Sequence, residues 1–321
     1  MAKYNYIIAG GSGFYKVAYS DLFKMPNVAY FCNYVDGLES KLRQLLLRGN
    51  FNLKLNRYVK TPLARVVYPW LFPHSFNNNL PLCFIFFEAQ FAVINTSYIE
   101  YLRRVHPSAK LVLYMQDIVG SLPYYDIENY KNRFDLVLSY DKGDCKRYGL
   151  EYYPTPYSRI NLNNVYNEEF DVFFCGAGKT RYKTILDTYV QLTAQNLKCK
   201  FFITGVPQKE RIEGDGLIYD SPISYMDNLK YVLASKCILE VMQVNADGYT
   251  PRLWEAIMYD KHLLTNNSYI PNTNYWNPSG MHLLTECNDF SFINNPVTYS
   301  EDIKKSKSPV NLLYFIEKHL C

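Results

Sequence analysis

Continuous apolar runs of strand length, alternating with segments of helical spacing, recur along this chain and constrain its fold more than any other feature. Residues 82–87, 110–114, 134–139, 170–175, 200–204, 236–241 and 261–265 form such runs. A strand that is apolar at nearly every position is buried on both faces, the condition of a parallel sheet covered by helices on both sides. Helical spacing falls between the runs: residues 96–105, closed by His106-Pro107, then 183–196, 225–234 and 251–259. The alternation predicts an α/β chain built from βαβ units.

The pattern breaks over residues 154–169, where Pro154, Pro156 and several asparagines interrupt any period, and restarts at Phe170. At 321 residues, against the roughly 100 to 200 residues of an ordinary domain, two Rossmann-like doubly wound domains facing across a cleft are expected. Residues 1–160 form the first and 161–305 the second. Residues 306–321, with a helix after Pro309, are expected to pack back toward the first. Each domain opens with a strand and a glycine loop: residues 4–9 lead into Gly10-Gly11-Ser12-Gly13, and residues 170–175 into Gly176-Ala177-Gly178. Such sheets bind ligands at the carboxyl ends of their strands, where the strand order reverses. Residues 266–280, rich in asparagine and proline, read as a loop.

Several functional classes are disfavoured at this stage. The longest apolar runs fall far short of the roughly 20 residues that span a bilayer, and the first residues lack the core and cleavage site of a signal peptide. A cytoplasmic location is the expectation, including the cytoplasmic face of the membrane. The cysteines lack a C-x-x-C pair and sit in apolar segments, so they are expected to be buried reduced thiols. A net charge of +4 does not demand a nucleic-acid partner. Charge is concentrated locally, however: Lys41, Arg43, Arg48, Lys54, Arg57, Lys60 and Arg65 occur with no acid among them, and Tyr68, Trp70 and Phe72 follow. That patch suits either the anionic inner leaflet or a solvated helix face.

The strongest local signal is Asp247-Gly248-Tyr249-Thr250-Pro251-Arg252-Leu253-Trp254-Glu255-Ala256. Pro251 suits a first helical turn, and Gly248 to Pro251 would bring backbone N–H groups of a helix N-terminus close to an anion. A second signal is the strand ending in Gly176-Ala177-Gly178-Lys179-Thr180-Arg181. Gly178-Lys179-Thr180 invites a P-loop reading, but the leading glycine of that motif would have to stand at Phe173. Lys179 and Arg181 instead supply cations beside a glycine turn. A helix start with basic residues is unfavourable without an anion nearby. Taken alone, Glu255 also suits a cap or salt bridge on an amphipathic helix.

The first signal resembles the carboxyl-domain motif of GT-B glycosyltransferases, in which an acid, a glycine and an aromatic lead through seven intervening residues to a helical glutamate. The resemblance implies that Glu255 holds the ribose of a nucleotide-sugar donor and that Asp247 lies near the donor sugar. Arg252 would clamp phosphate bidentately, with Gly248, Tyr249, Thr250, Gly176, Gly178, Lys179 and Arg181 around the diphosphate. Two positions depart from the family pattern: the first acid is Asp rather than the commoner Glu, and Thr250 replaces a glycine. With no D-x-D at a strand end, no metal and no cofactor are predicted, the donor being a substrate.

On the acceptor side, Gly11, Ser12, Gly13, Glu88 and Asp117 each stand where an apolar strand ends. Asp117 is the candidate to orient or deprotonate a hydroxyl, although a loop or capping role fits any one of these acids. The resemblance implies transfer of a sugar to a saccharide or lipid-linked saccharide in surface glycan synthesis, capsule or lipopolysaccharide included. Retention and inversion both stay open, as do a nucleotide-sugar epimerase of the same fold and a non-catalytic nucleotide- or glycan-binding module.

Overall fold

The structure, a computed structural model, describes residues 2–51, 64–94, 96–120, 126–162, 166–242 and 249–320. The chain divides into two compact units, Met1–Ser158 with Ser308–Cys321, and Arg159–Lys307.

The first unit is built on a six-stranded sheet. Its strands are β1 (Asn5–Ala9), β2 (Val28–Phe31), β3 (Leu82–Phe87), β4 (Lys110–Met115), β5 (Leu136–Ser139) and β6 (Glu151–Tyr152). They lie in the order β2-β1-β3-β4-β5-β6, every pair parallel. The run expected over residues 134–139 starts two residues late. Asp135, just before it, donates its N–H to Leu111 O at 2.8 Å, while its carboxylate accepts from Leu111 N–H at 2.7 Å in place of a backbone carbonyl and pairs with Arg103 at 2.9 Å. One face of the sheet is covered by an aromatic core that includes Phe72, Phe84, Phe86, Phe91 and Tyr98.

The last helix, Val310–Leu320, belongs to this unit and buries Leu312, Leu313 and Ile316. Its Glu317 Oε1 accepts from Lys3 N–H at 2.8 Å and from the Tyr6 hydroxyl at 2.7 Å, tying the end of the chain to β1.

The second unit holds another six-stranded parallel sheet. Its strands are β7 (Phe170–Ala177), β8 (Cys199–Thr204), β9 (Leu217–Tyr219), β10 (Ser235–Glu240), β11 (His262–Thr265) and β12 (Met281–Leu283), ordered β12-β11-β10-β7-β8-β9. The stretch read as a loop therefore leads into an edge strand, β12, which is too short to register as a periodic run. Strand order reverses between β7 and β10 here, and between β1 and β3 in the first unit. Those are the two places where such sheets open a crevice at their carboxyl ends.

The described cysteines are unpaired, and Cys32, Cys145, Cys175 and Cys287 are half-buried rather than fully buried as expected. Among the described residues no helix is long and apolar enough to cross a membrane.

Candidate functional site

In the second unit Gly176, Arg181, Thr250 and Arg252, all singled out in the sequence, meet at the carboxyl ends of β7 and β10. Strand β7 ends in Gly176 and Ala177, and a single turn carrying Lys179 and Arg181 leads into the helix Tyr182–Ala194. That helix has no side-chain cap and no acid in its first turn, so its N-terminal N–H groups suit an anion. Lys179 is exposed and adopts φ 41°, a left-handed conformation that costs a non-glycine residue energy and gathers at functional turns.

Two guanidinium groups converge on the end of β7. Arg252 Nη2 donates to the carbonyl of Cys175, and the guanidinium carbon lies 5.3 Å from the centre of the Phe174 ring. Arg181 donates from Nε to Ala177 O at 2.8 Å and from Nη1 to Val241 O at 2.5 Å. Gly176 lies between them: a methyl group there would stand 2.8 Å from Nη2 of Arg252 and 2.9 Å from Nη2 of Arg181. Burial, and then the charge of Arg252, push the Arg181 guanidinium down to about 10. Two like charges held this close, by carbonyls, on top of a glycine, suit an anion with several oxygens. Gly178 serves packing instead, since a side chain there would meet Val206 at 2.8 Å.

Arg252 is carried by the helix Pro251–Met258, which is capped by Thr250: its hydroxyl accepts from Arg252 N–H at 3.2 Å. That hydroxyl also donates to Glu240. Its hydrogen is therefore committed inward, to Glu240.

Glu255, one turn further on, is 3% exposed, and its Oε1 accepts from the Tyr225 hydroxyl at 2.5 Å and from Asn228 Nδ2 at 3.1 Å. Burial raises its carboxyl above the usual range, against the pull of Tyr225 and Arg252. Tyr249 packs edge-on against Trp254 and Tyr275, both at 5.9 Å. Asp247 and Gly248 lie outside the described residues.

Glu240, the last residue of β10, is a member of this cluster that sequence reasoning passed over. An acid closing an apolar strand is a usable signal, the same one that marks Glu88.

In the first unit the glycine loop, Glu88 and Asp117 also gather at strand ends. Gly11 exchanges both of its backbone hydrogen bonds with the Tyr30 hydroxyl, each at 3.0 Å. Ser12 is exposed, and Gly13, at φ 60°, turns the chain into the helix Phe14–Ala18. Glu88 starts a helix directly off β3 and is buried; its Oε2 accepts from Gln116 N–H at 2.7 Å. Burial, opposed by backbone hydrogen bonds, pushes its carboxyl up to about 7. Asp117 is exposed beyond β4, and its Oδ1 accepts from Ile118 N–H at 2.9 Å. Tyr15 stands near both acids.

Two Rossmann-like parallel sheets in one chain, with glycine loops at their switch points, define the fold of the GT-B glycosyltransferases. Solved structures with this fold resemble the chain over most of its length. An α-glucosyltransferase in complex with UDP and a 13-mer DNA containing an HMU base is 11% identical, with a TM-score of 0.50 over 98% of this chain and 90% of that one. Anabaena Alr3699/HepE in complex with UDP and glucose is 10% identical, with a TM-score of 0.49 and 98% of each chain covered. TarM is 11% identical, with a TM-score of 0.41 over 74% of this chain, which spans 49% of TarM's length. No family model and no curated protein matches the sequence.

Proposed function

We propose that this protein is a glycosyltransferase that moves a sugar from a nucleoside-diphosphate donor to a hydroxyl of a saccharide or lipid-linked saccharide in surface glycan synthesis. The observation that carries the reading is the Arg181–Arg252 pair flanking Gly176 at the switch point of the second sheet. In the reaction the bond from the sugar's anomeric carbon to the diphosphate breaks, and a new bond forms to the acceptor oxygen. The negative charge that develops on the leaving diphosphate is met by Arg252, Arg181, Lys179 and the uncapped helix N-terminus, with no metal ion needed. Preorganised donors of this kind act without reorienting as the charge appears.

Glu255 receives the ribose hydroxyls, Tyr249 and Gly248 line the donor, and Asp247 addresses the sugar. In the first unit, Gly11, Ser12 and Gly13 shape the acceptor's approach. Asp117 orients or deprotonates the hydroxyl, and Glu88 stands behind it with a carboxyl close to neutrality, as proton transfer near pH 7 requires. A lipid-linked acceptor would be met at the cytoplasmic face of the membrane, where the helix Lys41–Asn50 offers basic side chains and the outward-facing Leu42 and Leu45.

Calorimetric titration with UDP, GDP, CMP and dTDP tests the donor site. One nucleoside diphosphate should bind the wild type, and Glu255→Ala and Arg252→Ala should each lose about 1 to 3 kcal/mol of that binding. Unchanged affinity in both variants would remove the assignment.

A further inference from the structure

The first unit carries a cavity that the transfer described above does not use. It encloses about 300 Å³ between the helix Thr96–Val105 and the segment of residues 68–74, the small end of ligand-sized cavities. The buried rings of Phe72, Phe84 and Tyr98 line it, and Tyr101, His74 and His106 reach its open side. Tyr98 and Tyr101, three residues apart on one helix face, stack with ring centres 5.8 Å apart and planes at 16°. Phe84 meets both imidazoles, at 6.2 Å from His74 and 6.0 Å from His106. Phe72 adopts φ 52°, a left-handed conformation that costs a bulky residue energy, and its carbonyl accepts from His74 Nδ1 at 2.8 Å. That bond fixes the imidazole and leaves its Nε2 for a ligand.

The cavity lies at the amino ends of β3 and β4. Phe84 stands four residues before Glu88, roughly 13 Å of strand, and His106 precedes β4 whereas Asp117 follows it. It is therefore not the place where the acceptor hydroxyl reacts.

Its lining limits what it can take. No Asp, Glu, Lys or Arg contributes to it, so a charged ligand would lose its water without gaining a counter-charge. The hydroxyls of Tyr98 and Tyr101 have no hydrogen-bond partner among the described residues, although Tyr98 is only 2% exposed. A buried phenol ordinarily has a partner, and leaving it without one is costly. Burial, and then His74, hold the His106 imidazole below its usual value, so it too is a neutral donor and acceptor near pH 7. Ring faces below and neutral hydrogen-bonding groups at the edge match a ligand that has an apolar face and several hydroxyls.

We propose that this cavity is a second saccharide site, which takes one neutral sugar ring. The ring's apolar face lies on Phe72 and Phe84, and its hydroxyls bond Tyr98, Tyr101 and the two imidazoles. A glycan held there by a ring remote from its reacting end binds more tightly than a short one. That the ring belongs to the glycan being extended rests on the transferase reading above; binding of a neutral saccharide does not.

Tyr98→Phe keeps the ring and removes only the unpartnered hydroxyl, and His74→Ala removes an exposed side chain, so both variants should fold. An array of neutral and anionic oligosaccharides, probed with the labelled full chain and no nucleotide, should retain the wild type on at least one neutral saccharide. Calorimetry with that saccharide should show about a tenfold loss for Tyr98→Phe, the size of one hydrogen bond, and a loss for His74→Ala, with melting midpoints unchanged. Retention on no saccharide, retention on anionic ones alone, or equal affinity in all three proteins would overturn the inference. Titration of the same proteins with UDP, GDP, CMP and dTDP keeps the two readings apart. Saccharide capture without nucleotide binding would leave this site and remove the transferase, and nucleotide binding without saccharide capture would do the reverse.

Discussion

The ammonium of Lys307 stands 4.3 Å from the centre of the Trp254 indole ring. It is also 4.1 Å from the centre of the Tyr275 ring and donates to the Tyr275 hydroxyl at 2.7 Å. The side chain is buried, and no carboxylate pairs with it among the described residues. Its compensation comes from two ring faces and one phenol: Trp254, on the helix that carries Arg252 and Glu255, and Tyr275, in the segment after β11. Burial pushes the ammonium down to about 8.

This depressed value carries a sign. Below pH 8 the lysine is charged in the folded and unfolded chain alike, and the full cost of burying the charge is present. Between pH 8 and the ordinary lysine value of roughly 10.4, the folded form releases its proton first, and the cost fades. Lys307→Met should therefore be as stable as the wild type at pH 7, or more stable by up to about 2 kcal/mol, because the lost ring contacts oppose the relieved burial. That relative advantage should decline as pH rises past 8. Denaturation midpoints of both proteins at pH 7 and 9.5 check it.

Gly176→Ala should act on the ligand rather than on the fold. Gly176 has a φ outside the left-handed region, so the backbone accepts alanine, and the added methyl instead pushes Arg181 and Arg252 apart. UDP affinity should fall about tenfold, ~1.4 kcal/mol, with the melting midpoint nearly unchanged. Calorimetry beside a thermal scan separates the two effects, and a large drop in melting temperature would assign Gly176 to packing.

Glu88 gives a second test by pH. Its folded carboxyl is raised to about 7 from an unfolded value of roughly 4.3, so the folded chain holds the extra proton between those values. Stability is then lost as pH rises through that window. Glu88→Gln should gain on the wild type progressively from pH 4.3 to 7, by up to about 3 kcal/mol, and hold that gain above it. Urea midpoints at pH 5 and 8 check the sign; a gain that is larger at pH 5 would contradict it.

The helix Lys41–Asn50 leaves Leu42 66% and Leu45 67% exposed beside Lys41, Arg43 and Arg48, with no acid in its first turn. Sedimentation with phosphatidylserine vesicles should retain the wild type and lose Leu42→Asp/Leu45→Asp. Each basic residue near such a surface contributes about 1 kcal/mol, so 0.5 M salt should release the wild type as well. Equal binding by both proteins would place the contact elsewhere.

Much of this architecture was legible because interior strands of a parallel sheet are apolar throughout. β3, β4, β7, β8, β10 and β11 all announce themselves that way. The edge strands β2, β6, β9 and β12 do not, being short and half-buried, so their sequences carry little hydrophobic signal. The site was legible where glycines and cations stand together, as at Gly176, Arg181 and Arg252. It was opaque where a residue acts through burial: Glu240 reads as one acid at a strand end until Thr250 and Thr265 are seen to converge on it. Lys307 reads as one lysine in a basic stretch until Trp254 and Tyr275 close around it.

The hydrogen bonds from Lys3 and Tyr6 to Glu317 bear on the order in which the protein is made. A ribosome releases residues 159–307 before it releases the helix that completes the unit begun at residue 2. The second sheet can therefore close while the first still waits with the β1 flank uncovered and Tyr6 without its carboxylate. A chain truncated after residue 307 would keep every residue of the second unit and lack the carboxylate that Lys3 and Tyr6 bond, so the first unit depends on residues that follow the whole of the second.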